Sequence, residues 1–250
     1  MKLYKADAVV LRARDCGSGN KLLILYSREY GKIKVMAHGV SKPTSRKRGA
    51  VQPFTLTRFL IYRGRELDSV SQCEGVEMFS FLKGNLEMIG YASYLAELVD
   101  ALTPEREPNA NLFTLFLETL RLMAAGDIEL LVRAFEIKAV GLIGYRPVLE
   151  SCAQCLKPFS TEVFFSPCTG GVVCSACGPN VPDAAPCSRG VVETLKVLLS
   201  WPPARLPQIK VERRARNRIK YLLHEYLKYH LEQDFKSAAF LNKYITPPGL

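Results

Sequence analysis

Cys152-Ala-Gln-Cys155 and Cys174-Ser-Ala-Cys177 are two C-x₂-C knuckles with 18 residues between them. A knuckle lets two thiolates reach one ion from a tight turn, and two knuckles close a tetrahedral four-sulfur shell. The spacing falls within the range of zinc sites. The expectation is one zinc ion per chain held by Cys152, Cys155, Cys174 and Cys177. Four sulfurs leave no position for a reacting water, so the metal is expected to be structural. A thioredoxin-like redox pair would need a single knuckle at a strand–helix junction, a pattern this sequence lacks. Cys168 and Cys187 lie outside both knuckles and are expected to be bystanders, and Cys16 and Cys73 are expected to pack rather than react.

A second chemistry is electrostatic. Ser41-Lys42-Pro43-Thr44-Ser45-Arg46-Lys47-Arg48-Gly49 carries four positive charges in nine residues and no acid. Pro43 and Gly49 make it a loop, and such a loop suits phosphate oxygens. Lys32 and Lys34 alternate with Ile33 and Val35, which puts them on one strand face and makes them further candidates. Tyr26, Phe54, Phe59 and Tyr62 offer rings for base stacking; packing in the core is the commoner fate of an aromatic. A charge run is also an ordinary solvated loop. Farther along, Arg213, Arg214, Arg216, Arg218 and Lys220 cluster near an expected helix start, where the dipole disfavours cations. A nearby anion, nucleic acid or an acidic protein tail, would offset that.

Catalysis finds little support. There is no P-loop and no dinucleotide fingerprint. His38, His224 and His230 have no evident nucleophile or metal partner. The acids of the first 75 residues are scattered, with no cluster suited to a two-metal nuclease. The expectation is a binding protein, not an enzyme.

The elements that must position these groups are legible from periodicity. Ala8–Leu11, Leu22–Tyr26, Ile33–Ala37, Phe54–Tyr62 and Glu66–Cys73 read as five short strands with turn signals between them, which suggests a small barrel. An SH3-like barrel would fit the same count. After Gly75 the period becomes helical: Tyr91, Leu95, Leu98 and Leu102; Leu112, Phe116, Leu120 and Met123; Leu131, Phe135, Ala139 and Leu142. Residues 151–187 are cysteine-, glycine- and proline-rich. Helical pattern resumes at Val192, Leu195 and Leu199 with Ser188 as N-cap, and a last helix is expected from about Arg213 to Phe235. The reading is an α+β chain: a five-stranded barrel over 1–78, a helical domain over 79–150 and 188–245, and a zinc insertion over 151–187.

The 250 residues carry 34 Lys+Arg against 24 Asp+Glu, net +10, with 48% hydrophobic residues, an ordinary globular composition. Residues 1–75 hold 15 basic and 6 acidic side chains, and residues 188–250 hold 12 and 5, flanking an acidic middle. That distribution points to anionic partners. No apolar run approaches the ~20 residues of a membrane helix, and the start lacks a signal-peptide core. A cytoplasmic protein without a membrane partner is expected.

Three stretches together resemble the bacterial RecO family of DNA repair proteins: Gly39–Phe54 (GVSKPTSRKRGAVQPF); Asn20-Lys21-Leu22 with Ser27–Lys32; and Phe165–Cys177, the family's zinc segment. The resemblance spans residues 4 to about 240. It implies an N-terminal OB-fold, a helical domain and a zinc insertion. It further implies a recombination mediator that binds single- and double-stranded DNA, anneals complementary strands, and works with RecR to load RecA on strands covered by single-strand-binding protein. On these matches Lys42, Arg46, Lys47 and Arg48 would contact DNA, with Lys32 and Lys34 beside them. The Arg213–Lys220 cluster would receive the acidic C-terminal tail of single-strand-binding protein. The extra thiol Cys168 departs from the pattern. The rival readings are a zinc-stabilised nucleic-acid-processing enzyme, nuclease-like, and an RNA-binding OB protein.

Overall fold

The structure is a computed structural model that describes residues 2–42, 45, 47–159 and 162–244. Five strands form the N-terminal part: β1 (Leu3–Asp15), β2 (Lys21–Ser27), β3 (Gly31–Ala37), β4 (Thr55–Tyr62) and β5 (Asp68–Met78). They close into a barrel in the order β1-β2-β3-β5-β4. β1 is long enough to pair antiparallel with β2 through Ala8–Asp15 and with β4 through Leu3–Val9, and an irregularity between Val10 and Arg12 bends it between the two partners. β3 meets β5 in parallel, and only at Val35 and Met36. This Greek-key order with one short parallel closure is that of an OB-fold, which strand number alone did not distinguish from an SH3-like barrel.

The period-two pattern works as expected. On β3, Ile33, Val35 and Ala37 are buried while Lys32, Lys34 and Met36 point outward. On β4, Thr55, Thr57, Phe59 and Ile61 are buried. With Ala8, Val10, Leu23 and Leu25 they form the barrel core. Truncating a ring as buried as Phe59 to alanine typically costs about 3–5 kcal/mol.

Beyond the barrel come α1 (Leu86–Leu102), α2 (Ala110–Leu122), α3 (Ile128–Leu142), a three-stranded sheet of β6 (Glu162–Ser166), β7 (Gly171–Cys174) and β8 (Ala185–Ser188), then α4 (Arg189–Ser200), α5 (Arg213–Leu231) and α6 (Lys236–Tyr244). The starts of α1 to α4 are capped by side chains: Asn85 accepts from Met88 N, Asn109 from Leu112 N, Asp127 from Leu130 N, and Ser188 from Val191 N. Leu142, expected inside, is exposed at the end of α3. The last helix is also shorter than expected. Glu232 adopts a left-handed conformation (φ 52°), ending α5 at Leu231, and the chain restarts as α6.

Two compact units result. One holds residues up to Arg121 and the chain from Phe235; the other holds Leu122–Asp234. In the first, α6 packs on α1: Glu97 accepts from Ser237 N at 2.9 Å, and Tyr94 meets Phe235 edge to face. In the second, α3 packs against α4 and α5, and Phe165 of β6 lies against Tyr226 of α5. No helix among the described residues is long and apolar enough to cross a membrane.

Candidate nucleic-acid interface and metal centre

The two knuckles converge in the second unit. β6 lies between β7 and β8, and Cys174 closes β7 while Cys152 is tied to the sheet through Ala153 N, which donates to Val172 O. Gly171 is required by close approach, since a Cβ there would stand 2.2 Å from Val148 O. The four Sγ atoms of Cys152, Cys155, Cys174 and Cys177 lie within 4.8 Å of one another, the one group of this kind among the described residues. Cys155 Sγ and Cys174 Sγ are 3.9 Å apart. Zinc–sulfur bonds of about 2.3 Å give a tetrahedral edge of about 3.8 Å, so the cluster has the dimensions of an ion's shell.

The electrostatics agree. Burial raises the Cys152 thiol, but the backbone N–H groups of Cys174 (3.4 Å) and Cys155 (3.5 Å) outweigh it and bring it down to about 6. The Cys177 thiol donates to Cys174 and Cys155, which holds its proton and pushes its pKa up to about 12. Four thiols this close cannot all shed their protons unless a cation sits among them, which is how a metal site behaves. Cys168 is exposed and outside the cluster, with its backbone N–H on Asp183. Cys187 is buried, and burial pushes its thiol up to about 11.

The basic loop leaves β3 under tight control. Gly39 N donates to Asn20 Oδ1 (2.9 Å), Ser41 N to Gly19 O (2.9 Å), and Ser41 Oγ to Asp15 (3.2 Å). Val40 and Val51 are fully buried at its two ends, and Thr57 Oγ1 donates to Ala50 O. Between these anchors the side chains of Lys42 and Arg48 are exposed. Lys47 reaches the Ser71 carbonyl at 2.6 Å, a neutral partner that leaves its charge uncompensated. Ion pairs elsewhere on the barrel engage Lys21, Lys32, Lys34 and Arg58, and none engages Lys42, Lys47 or Arg48 with a described carboxylate. Arg46 lies outside the described residues. Asn20 and Asp15, which aim the loop, escaped the sequence reading. The glycines of residues 17–20 mark a turn, but nothing local shows that the Asn20 side chain reaches Gly39.

The structure shows what surrounds the other candidates. Lys32 and Lys34 leave the barrel outward but meet carboxylates: the Lys32 ammonium sits on Asp100 Oδ1 (2.9 Å) and Asp100 O (2.6 Å) and its side chain is 13% exposed, and Lys34 pairs with Glu105. Tyr26 and Phe59 are fully buried and belong to the interior, while Phe54 and Tyr62 are half-buried.

The C-terminal cluster is likewise not one surface. On α5, Arg216 pairs with Asp127 and donates from Nε to Val211 O (2.9 Å). Arg218 donates to Pro186 O and lies over the Tyr221 ring. Lys220 is half-buried, and burial, followed by the charge of Arg133, pulls its pKa down. Arg213 and Arg214 remain exposed. Beside the Arg216–Asp127 pair a small apolar hollow, open to solvent, is lined by Leu122, Gly126, Leu131, Leu206 and Pro207.

Comparison with known families bears on both sites. The model described as Recombination protein O N terminal matches residues 1–79, and Recombination protein O C terminal matches 83–239. The chain belongs to the RecO family of recombination and repair proteins. It is 61% identical over 249 residues to the DNA repair protein RecO of Pelotomaculum thermopropionicum, covering 100% of this chain and 97% of the relative. It is 41% identical over 244 residues to that of Desulforamulus reducens, covering 97% and 95%. The boundary between the two family segments falls just after β5, so the RecO N-terminal segment coincides with the barrel.

Proposed function

We propose that this chain is a recombination mediator in DNA repair rather than an enzyme. It binds single- and double-stranded DNA without sequence preference, anneals complementary strands, and helps load RecA together with RecR. The observation that carries the reading is the set of uncompensated charges on the β3–β4 loop, with Lys42 and Arg48 exposed and Lys47 on a neutral carbonyl. Two strands approach each other only when their phosphates are screened, and base edges must stay free to pair. Cations on a fixed loop meet both needs without reading sequence. Working modules are the barrel over 1–78, the helices over 79–150 and 188–245, and a zinc insertion over 151–187 held by Cys152, Cys155, Cys174 and Cys177. When bound, the zinc supplies cross-linking of the two knuckles, not a reaction step.

Mixing complementary labelled oligonucleotides with the protein tests this. Duplex should form faster than without protein, and the acceleration should be lost when Lys42, Arg46, Lys47 and Arg48 are neutralised together. Cleaved strands, or unchanged acceleration in that variant, would contradict it.

A second contact is supported by the apolar hollow beside the Arg216–Asp127 pair, with exposed Arg213 one helical turn before Arg216 and Arg214 next to it. An apolar pocket next to guanidinium groups suits an amphipathic peptide ending in carboxylates, such as the tail of single-strand-binding protein. A tail peptide lacking its terminal acids should bind much more weakly; equal binding would overturn this contact.

A further inference from the structure

The outer side of strands 2 and 3 is where OB barrels take up oligonucleotides, and here the chain's own residues lie on it. The connector from α1 to α2, residues 103–109 (Thr-Pro-Glu-Arg-Glu-Pro-Asn), runs beside β3. Arg106 N donates to Lys32 O at 2.8 Å, and Glu105 pairs with Lys32 as an isolated parallel bridge. The connector thus adds to the stretch of β3 that β5 does not reach. Gly31 has φ 64°, and a Cβ there would stand 2.1 Å from Glu107 O, so the approach requires glycine. Tyr26 OH donates to Asn109 O. The Arg106 guanidinium reaches Asp68 (3.0 Å), which also accepts from Tyr4 OH (2.6 Å) and Gly64 N (3.1 Å).

These backbone contacts and the Asp68 anchor would suffice to seal the barrel. The acidic side chains do something else. Asp100 takes the ammonium of Lys32 and Glu105 that of Lys34, so the two outward cations of β3 each meet a carboxylate. Asp100–Asn109 holds three carboxylates and one guanidinium, and that guanidinium is engaged by Asp68. Glu105 and Glu107 stand exposed on the connector, two residues apart like the repeating anions of a backbone.

We infer that Asp100–Glu107 is an internal polyanion mimic. The β2–β3 face is a second surface for single-stranded nucleic acid, with Lys32 and Lys34 as its cations, and the acidic connector competes for it and confines the ligand to the β3–β4 loop. This rests on the nucleic-acid reading above.

The test is a cycle on the full chain with a labelled oligothymidylate across a salt series. E105Q should bind severalfold more tightly at low salt. Its log–log salt slope should steepen by about 0.7, the value for one additional phosphate contact on a single strand. K34Q, which leaves Glu105 uncompensated, should bind no more tightly than the wild type, and E105Q/K34Q should lose the gain seen in E105Q. D100N, which releases Lys32, should shift binding in the same direction as E105Q. Wild-type affinity and slope in both E105Q and D100N would overturn the inference. So would a gain in E105Q that survives K34Q, because that reports net charge alone. A wild-type protein that does not bind the oligonucleotide at low salt would instead overturn the nucleic-acid reading.

Discussion

The two basic clusters look alike as strings but differ as surfaces. The β3–β4 loop is pinned at Val40 and Val51, and its described cations Lys42, Lys47 and Arg48 meet no described carboxylate. The α5 cluster sits on a helix, where successive side chains turn by about 100°. Residues 216, 218 and 220 therefore swing toward Asp127, the Pro186 carbonyl and the Arg133 neighbourhood, and only Arg213 and Arg214 stay exposed. Counting charges in a window measures neither. Availability depends on whether the backbone carries them past carboxylates and carbonyls.

The largest expected effect lies in the unit that carries α5. C152S removes the cluster sulfur that accepts two backbone N–H bonds. Metal analysis should show one ion per chain in the wild type and none in the variant, and calorimetry a destabilisation on the order of several kcal/mol. Oligonucleotide binding by the loop should persist. Loss of loop binding in C152S would break the separation of the two regions.

Next comes the direct contrast. K42Q/K47Q/R48Q should lose roughly tenfold to a hundredfold in single-strand affinity at low salt, while R213Q/R214Q should change it far less, as read by fluorescence anisotropy. A smaller effect sharpens the contrast within α5. R216Q leaves Asp127 without its guanidinium and should cost about 1–2 kcal/mol in urea unfolding, whereas R213Q/R214Q should stay within about 0.5 kcal/mol.

The smallest effect is a pH dependence. Asp68 is buried, which raises its pKa, but Tyr4, Arg106 and Gly64 donate to it and hold it below the usual carboxylate range. A depressed carboxyl contributes stability above its unfolded pKa of about 3.9 and loses it as pH falls through the lower folded value. D68N should therefore flatten the acid limb of the stability curve below about pH 4 while lowering stability at neutral pH.

Much of this was legible in the sequence. Knuckle spacing, strand alternation and the Ser188 cap are local patterns, and each reappears at the same residues. The end of α5 was not legible, because Glu232 is not a residue whose type announces a left-handed turn. The fate of Lys32 and Lys34 was not legible either. Alternation correctly placed them outward, but what lies outward is a connector about 70 residues away in the chain. Nor could strand count give the parallel β3–β5 closure, which pairs residues some 33 positions apart. Local chemistry survives translation into structure, and pairings across distant segments need the fold.

The central claim is that uncompensated cations of the β3–β4 loop screen phosphates. Single-strand affinity measured against salt tests it most directly, with wild type and K42Q/K47Q/R48Q side by side. The account predicts a linear log–log plot whose slope flattens by about 2 in the variant, roughly 0.7 for each of three lost phosphate contacts. Parallel lines, or a wild-type affinity indifferent to salt, would contradict it.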